Sequence, residues 1–136
     1  MNATEQRKII HAIRRVPELQ DVFRVPLLSV PSLVVLILSL TGFVLSTSFY
    51  MFGALSAPAL VFINSFLIFF SFTPLHEATH GSFSRIRWLN DVLGTISAQL
   101  ILPGFNTSLY RFLHMTHHQH TGESEIDPDY KFISSP

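Results

Sequence analysis

Apolar positions dominate the first half of the chain: the fifty-one residues from Val25 to Leu75 contain no Asp, Glu, Lys or Arg. One membrane span needs ~20 apolar residues, so the stretch suits two spans joined by a turn. The cluster Ser46-Thr47-Ser48-Phe49-Tyr50, followed by Gly53, supplies that turn, with aromatic rings suited to the headgroup level. The pattern predicts helices over about 27–47 and 54–73, a hairpin with both ends on one side. Pro31 and Pro58 fall near span ends, where a missing amide donor costs least.

Ahead of the hairpin, residues 1–24 place Ile9, Ile10, Ile13 and Val16 at helical spacing among Arg7, Lys8, Arg14, Arg15 and Arg24. This predicts a basic amphipathic helix on a membrane surface, stopped near Pro17. A cleavable signal peptide would begin its apolar run closer to Met1 and end in a small-residue cleavage site.

Beyond the hairpin, Thr73-Pro74 predicts the end of the second span and the first turn of a fresh helical segment, closed by a left-handed cap at Gly81. After a polar connector over 82–87, Trp88, Leu89, Val92, Leu93, Ile96 and Leu100 recur on one face, opposite Asn90, Asp91, Thr95 and Gln99. That segment, stopped by Pro103-Gly104, is too short and too polar to span and reads as an interfacial helix. A last helix is expected over about 109–121 with Gly122 as its stop, then an acidic, turn-rich tail from Glu123 to Asp129.

Composition sharpens this picture. With 136 residues, 48% hydrophobic and 13% charged, the chain is at most one domain and too apolar for an ordinary soluble one. A formal net charge of zero leaves no basic footprint for nucleic acid. The absence of cysteine excludes a disulfide scaffold, a thiolate zinc site and a cysteine nucleophile. The basic leader puts the hairpin's open end in the cytoplasm by the positive-inside rule. The expected fold class is all-α: a multi-pass integral membrane protein with one transmembrane hairpin and cytoplasmic-side amphipathic helices.

Six of the seven histidines fall between His76 and His120, in two bursts. Residues three and four apart share a helical face, so His76 and His80 can address one ion, and His114, His117 and His118 form a three-donor patch. Five imidazoles on two helices exceed what one tetrahedral zinc needs and suit a binuclear site between facing helices. Imidazole serves iron, copper, nickel and zinc alike, so the donors alone do not choose the metal. His120 lies outside this set, and His11 reads as a surface residue of the leader. His76-Glu77-Ala78-Thr79-His80 also satisfies the H-E-x-x-H pattern of zinc metalloproteases, but that reading uses only one further ligand and leaves the second burst unexplained. Glu77 then reads as an outer partner orienting an imidazole or as a solvated helix residue.

The pair H-x-x-x-H at His76 to His80 after a membrane hairpin, followed by H-x-x-H-H at His114 to His118, resembles the membrane fatty acid desaturase and hydroxylase superfamily. The runs Leu75 to Gly81, Trp88 to Gly94, and Thr121 to Asp129 closing on Asp127-Pro128-Asp129 share that likeness, which covers about residues 25–135. The resemblance implies a single partial desaturase-like domain over 1–136, comprising the leader (1–24), the hairpin (25–75) and the histidine region (76–136). It implies two non-haem iron ions held by His76, His80, His114, His117 and His118. Their chemistry would be O₂-dependent desaturation of a lipid acyl chain, with electrons from a carrier such as ferredoxin, rubredoxin or cytochrome b5. A carotenoid or other lipid hydroxylase is the alternative within the superfamily, and a zinc protease the one outside it. The superfamily pattern has a third histidine box beyond a second hairpin, so a chain ending at Pro136 is expected to be a truncated form inactive alone.

Overall fold

The computed structural model describes residues 3–13, 15–21 and 24–134; Arg14 of the basic leader lies outside them. Every regular element among the described residues is helical. Helix α1 (Ala3–Ile13) is the leader, and a short 3-10 turn at Pro17–Leu19 follows. Helices α2 (Val30–Met51) and α3 (Ala57–Thr79) form the hairpin. At ~1.5 Å per residue they are each about 33 Å long, enough for a hydrocarbon core of ~30 Å, and their composition makes both candidate membrane spans.

A row of serines inside this apolar hairpin faces its seam. Ser32, Ser39 and Ser46 recur every seven residues on α2 and are buried, and small side chains at that spacing let helix backbones approach. Ser46 Oγ donates to Asn64 Oδ1 at 2.5 Å across the seam, and a Cβ on Gly42 would stand 3.0 Å from Leu67 Cδ2. Outward, Val34, Leu38, Val44, Phe62, Phe66 and Phe69 are exposed, as suits lipid-facing positions.

The break expected at Thr73-Pro74 does not occur: α3 runs without interruption through Pro74 to Thr79. Proline removes one amide donor and crowds the carbonyl four residues back, which weakens a helix without ending it when tertiary packing holds both sides. Here Ser71, Pro74, Leu75 and Ala78 are all buried. His76 and Glu77 therefore ride on the end of the second span itself. Gly81, at φ +71°, ends it as expected.

Helix α4 (Arg87–Ile101) packs along α3, and α5 (Thr107–His120) packs against both. The α3–α4 contact is closed by a serine clasp, in which Ser71 Oγ donates to Ser97 O at 2.9 Å and Ser97 Oγ donates back to Ser71 O. Asn90 and Thr95 of the polar face of α4 turn inward. Asn90 is 2% exposed and brackets the preceding loop through Ser84 N, Ser84 O and Ile86 O. Thr95 receives the amide of Thr107, and Gln99 bonds Gly104 N and Phe105 O. Trp88, Val92 and Ile96 face outward instead. The tail after Gly122 contains a short helix that its turn-rich sequence hid, α6 (Pro128–Ser134).

Candidate metal centre

Helix α3 delivers the first histidine pair and α5 the second group, and three devices set their register. Gly94 of α4 permits the approach, since a Cβ there would lie 2.5 Å from Thr107 Oγ1 and 2.7 Å from Ala78 Cβ. Arg111, one turn before His114, donates through Nε to Thr79 O (3.0 Å) and through Nη2 to Ala78 O (3.1 Å), tying α5 to the C-terminal carbonyls of α3. Its Nη1 also pairs with Asp91 Oδ1 at 2.8 Å. Asn106 caps α5, its Oδ1 accepting from Leu109 N. Nothing in the residue pattern had singled out Gly94 or Arg111, because each acts between helices distant in sequence.

The result is that His76, His80, His114 and His118 converge, with one ligating nitrogen from each lying within 4.8 Å of the others. His114 Nε2 is 3.0 Å from His80 Nε2 and 3.0 Å from His118 Nε2. A ring nitrogen carries either one proton or one lone pair, so His114 Nε2 cannot satisfy both neighbours by hydrogen bonding. A cation can. Metal–nitrogen bonds of ~2.0–2.1 Å put neighbouring ligand nitrogens about 3 Å apart, the spacing of both His114 contacts. Burial and the surrounding imidazoles hold His114 down to about 4, and burial with His76 and His118 lowers His80, so these rings stand neutral at pH 7 with lone pairs to give. The cluster thus fits a divalent transition metal by donor type, spacing and protonation. Tyr110 stacks on His114, with ring centroids 5.2 Å apart and an 18° interplanar angle. A mainly apolar cavity of about 500 Å³, lined by Ile101, Phe105, Tyr110, Leu113, Pro128 and Asp129, opens against the same imidazole.

His117 stands at the edge of this group, its ring centroid 5.8 Å from that of His118 and 6.4 Å from that of His114. Its Nδ1 meets Asp127 Oδ1 at 2.9 Å, with Asp129 Oδ2 at 3.5 Å. Hydrogen bonding to Asp127 raises the His117 pKa, and hydrogen bonds led by the Gly122 amide lower that of Asp127 to about 2. His120 instead meets Glu123, Nδ1 to Oε2 at 3.2 Å, and His11 is exposed on α1. The link to Asp127 was missed in the sequence, although Asp127-Pro128 has the cap-then-proline signature of a helix start.

Glu77 takes neither role expected of it. Its carboxylate accepts the hydroxyl of Ser32, which in turn bonds Ser29 Oγ at 2.7 Å. The glutamate fastens the start of α2 to the end of α3. A protease of the H-E-x-x-H type needs that carboxylate at its metal-bound water, so the pattern here is a spacing coincidence.

Residues 53–136 match the family model described as fatty acid desaturase. The chain is 40% identical over 73 residues to a zeaxanthin 4-ketolase of Chlamydomonas reinhardtii, covering 53% of this chain and 16% of the relative. It is 45% identical over 53 residues to an sn-1 oleoyl-lipid 12-desaturase of Synechocystis, covering 38% and 14%. With an sn-1 acyl-lipid omega-3 desaturase (ferredoxin) of Nostoc it shares 40% identity over 52 residues, again 38% and 14%. The chain thus spans less than a fifth of the length of these relatives. No solved structure matches it. With more than half its length inside the family model and two histidine-bearing helices meeting at the end of an apolar hairpin, the chain belongs to the fatty acid desaturase family, within the membrane desaturase and hydroxylase superfamily.

Proposed function

We propose that this chain carries part of the metal centre of a multi-pass membrane oxidase that desaturates a lipid acyl chain. The observation that carries the reading is the convergence of four imidazoles from α3 and α5 at the end of the apolar hairpin. His76, His80, His114 and His118 would hold metal there, with His117 as a fifth ligand. Two non-haem iron ions would supply O₂ activation, which cleaves an unactivated C–H bond that no protein side chain can attack. The chain's own contribution is placement. The hairpin brings the site to lipid depth, the walls of Phe105, Leu113 and Ile101 offer apolar contact to a chain lying against His114, and Tyr110 holds that imidazole in one plane. The histidine helices lie on the cytoplasmic side, where a soluble donor of the ferredoxin, rubredoxin or cytochrome b5 class reaches them. Residues 1–136 form one partial desaturase-like domain in this reading.

A carotenoid substrate is the second reading, favoured by the alignment with the zeaxanthin 4-ketolase, which extends over more of this chain than those with the two desaturases.

Metal analysis of protein purified from iron-replete cells tests the centre. Iron should be bound, and should fall several-fold in His80→Ala and His114→Ala; a single zinc retained by both variants would overturn the reading. Chromatography of acyl lipids and carotenoids from a host expressing the intact reading frame then separates the substrates, with new double bonds expected and new ring ketones or hydroxyls favouring the second reading.

A further inference from the structure

Among the carboxylates near the histidines, Asp127 has an unusual set of partners. It is 2% exposed, directly ahead of α6, and each of its oxygens is engaged by protein. Oδ2 accepts the amide of Gly122 at 2.8 Å, which fixes the turn that ends α5. Oδ1 accepts the amide of Asp129 at 3.0 Å, capping α6, and also lies 2.9 Å from His117 Nδ1. A carboxylate already holding two backbone amides is an acceptor fixed in place by the main chain, poorly disposed to turn and ligate an ion. Facing an acceptor of this kind, Nδ1 must carry the proton. Neither contact to His117 uses Nε2: the hydrogen bond to Asp127 and the longer one to Asp129 both end on Nδ1.

We propose that Asp127 is a positioning residue for His117, fixing the Nδ1–H tautomer and ring orientation so that Nε2 keeps a lone pair for a metal beside the four-histidine cluster. The inference rests on the metal reading above and adds a residue to it. Carboxylate–histidine–metal arrangements of this kind set ligand tautomer and basicity, and losing the carboxylate costs ~10–100-fold in metal affinity. Asp127 also couples metal binding to the chain that follows α5, because the same carboxylate closes the Gly122 turn and starts α6.

Two-bond ¹H–¹⁵N correlation of the metal-free chain in nanodiscs at pH 8.5 reads the tautomer directly and needs no variant. The Nδ1–H pattern is expected for His117, and an Nε2–H pattern overturns the proposal. Cobalt(II) titration against a chromophoric chelator gives the second readout. Asp127→Asn, which keeps a capping oxygen, should shift His117 toward Nε2–H and weaken cobalt binding by ~10–100-fold. Pro128→Ala, which loosens the first turn of α6 and leaves carboxylate and imidazole alone, should keep the wild-type tautomer and affinity; an equal loss in that variant overturns the proposal. Wild-type chain that takes up no cobalt sinks the metal reading and this inference together. Cobalt uptake that Asp127→Asn leaves unchanged sinks the inference alone.

Discussion

At the scale of single residues, the imidazoles differ by what surrounds them. His114, pressed among four other rings, is held down to about 4 by burial and by those neighbours, whereas the bond to Asp127 moves His117 the other way. Between pH 6.5 and about 4 the unfolded chain therefore takes up a proton at His114 that the folded chain refuses, and stability of the metal-free fold falls as pH drops through that window. His80 acts in the same direction. The His117 contribution has the opposite sign, complete below 6.5 and fading as pH rises through its raised value. Asp127 contributes above 3.8 and loses its share as pH falls toward about 2. Denaturant unfolding of the chelator-treated chain at a series of pH values should show a decline below pH 6.5 that is shallower in His114→Gln; equal slopes would mean that the ring is solvated. The histidine spacing was legible because it depends only on helical geometry. The separate environment of His117 was half legible: at ~100° per residue His118 lies 40° to one side of His114 and His117 60° to the other. Its partner lies beyond the helix, across a turn that the sequence marks only by Gly122 and Asp127-Pro128.

At the scale of elements, the site depends on how closely α3, α4 and α5 approach, and Gly94 sits at a point where both neighbours press against α4. An alanine there places its Cβ 2.5 Å from Thr107 Oγ1 and 2.7 Å from Ala78 Cβ, so α5 or α4 must move. Overpacking of this kind costs ~1–3 kcal/mol, and because α5 carries His114 and His118 the displacement reaches the cluster. Gly94→Ala should lower the thermal midpoint in detergent and weaken cobalt binding together, and adding Thr107→Ala should restore both in part, since the Ala78 contact remains. Affinity unchanged in a destabilised Gly94→Ala would separate the site from this junction. The helices themselves were readable from hydrophobic periodicity, but two of their relations were not. Local rules place a helix start at Pro74, and the burial of Ser71, Leu75 and Ala78 overrides them. An amphipathic pattern also does not say which face is inside. Trp88, Val92 and Ile96 face outward, and it is the polar side of α4 that finds partners within the fold.

At the scale of the whole molecule, charge and apolar length are segregated along the chain. All nine Lys and Arg residues lie outside 25–75, five of them in the leader and four after the hairpin, and none falls in the turn between α2 and α3. Because α2 and α3 run antiparallel, in the proposed hairpin the leader and the histidine helices would share one side of a bilayer and the turn at residues 52–56 would face the other. The positive-inside rule then predicts that the leader and the histidine helices face the cytoplasm. The same asymmetry has a structural counterpart at the hairpin's open end, where Ser29 N donates to Phe83 O (2.7 Å) and Arg85 N to Pro26 O (2.9 Å), so the entry to α2 and the exit from α3 are joined. The chain contains no cysteine, so single introduced thiols report without background. Ala54→Cys in the turn and Glu125→Cys after α5 are both at exposed positions. In intact cells a membrane-impermeant maleimide should label Ala54→Cys and spare Glu125→Cys until the membrane is opened. The reverse pattern would invert the orientation, and labelling of both from outside would mean that the two helices do not cross the bilayer as a hairpin.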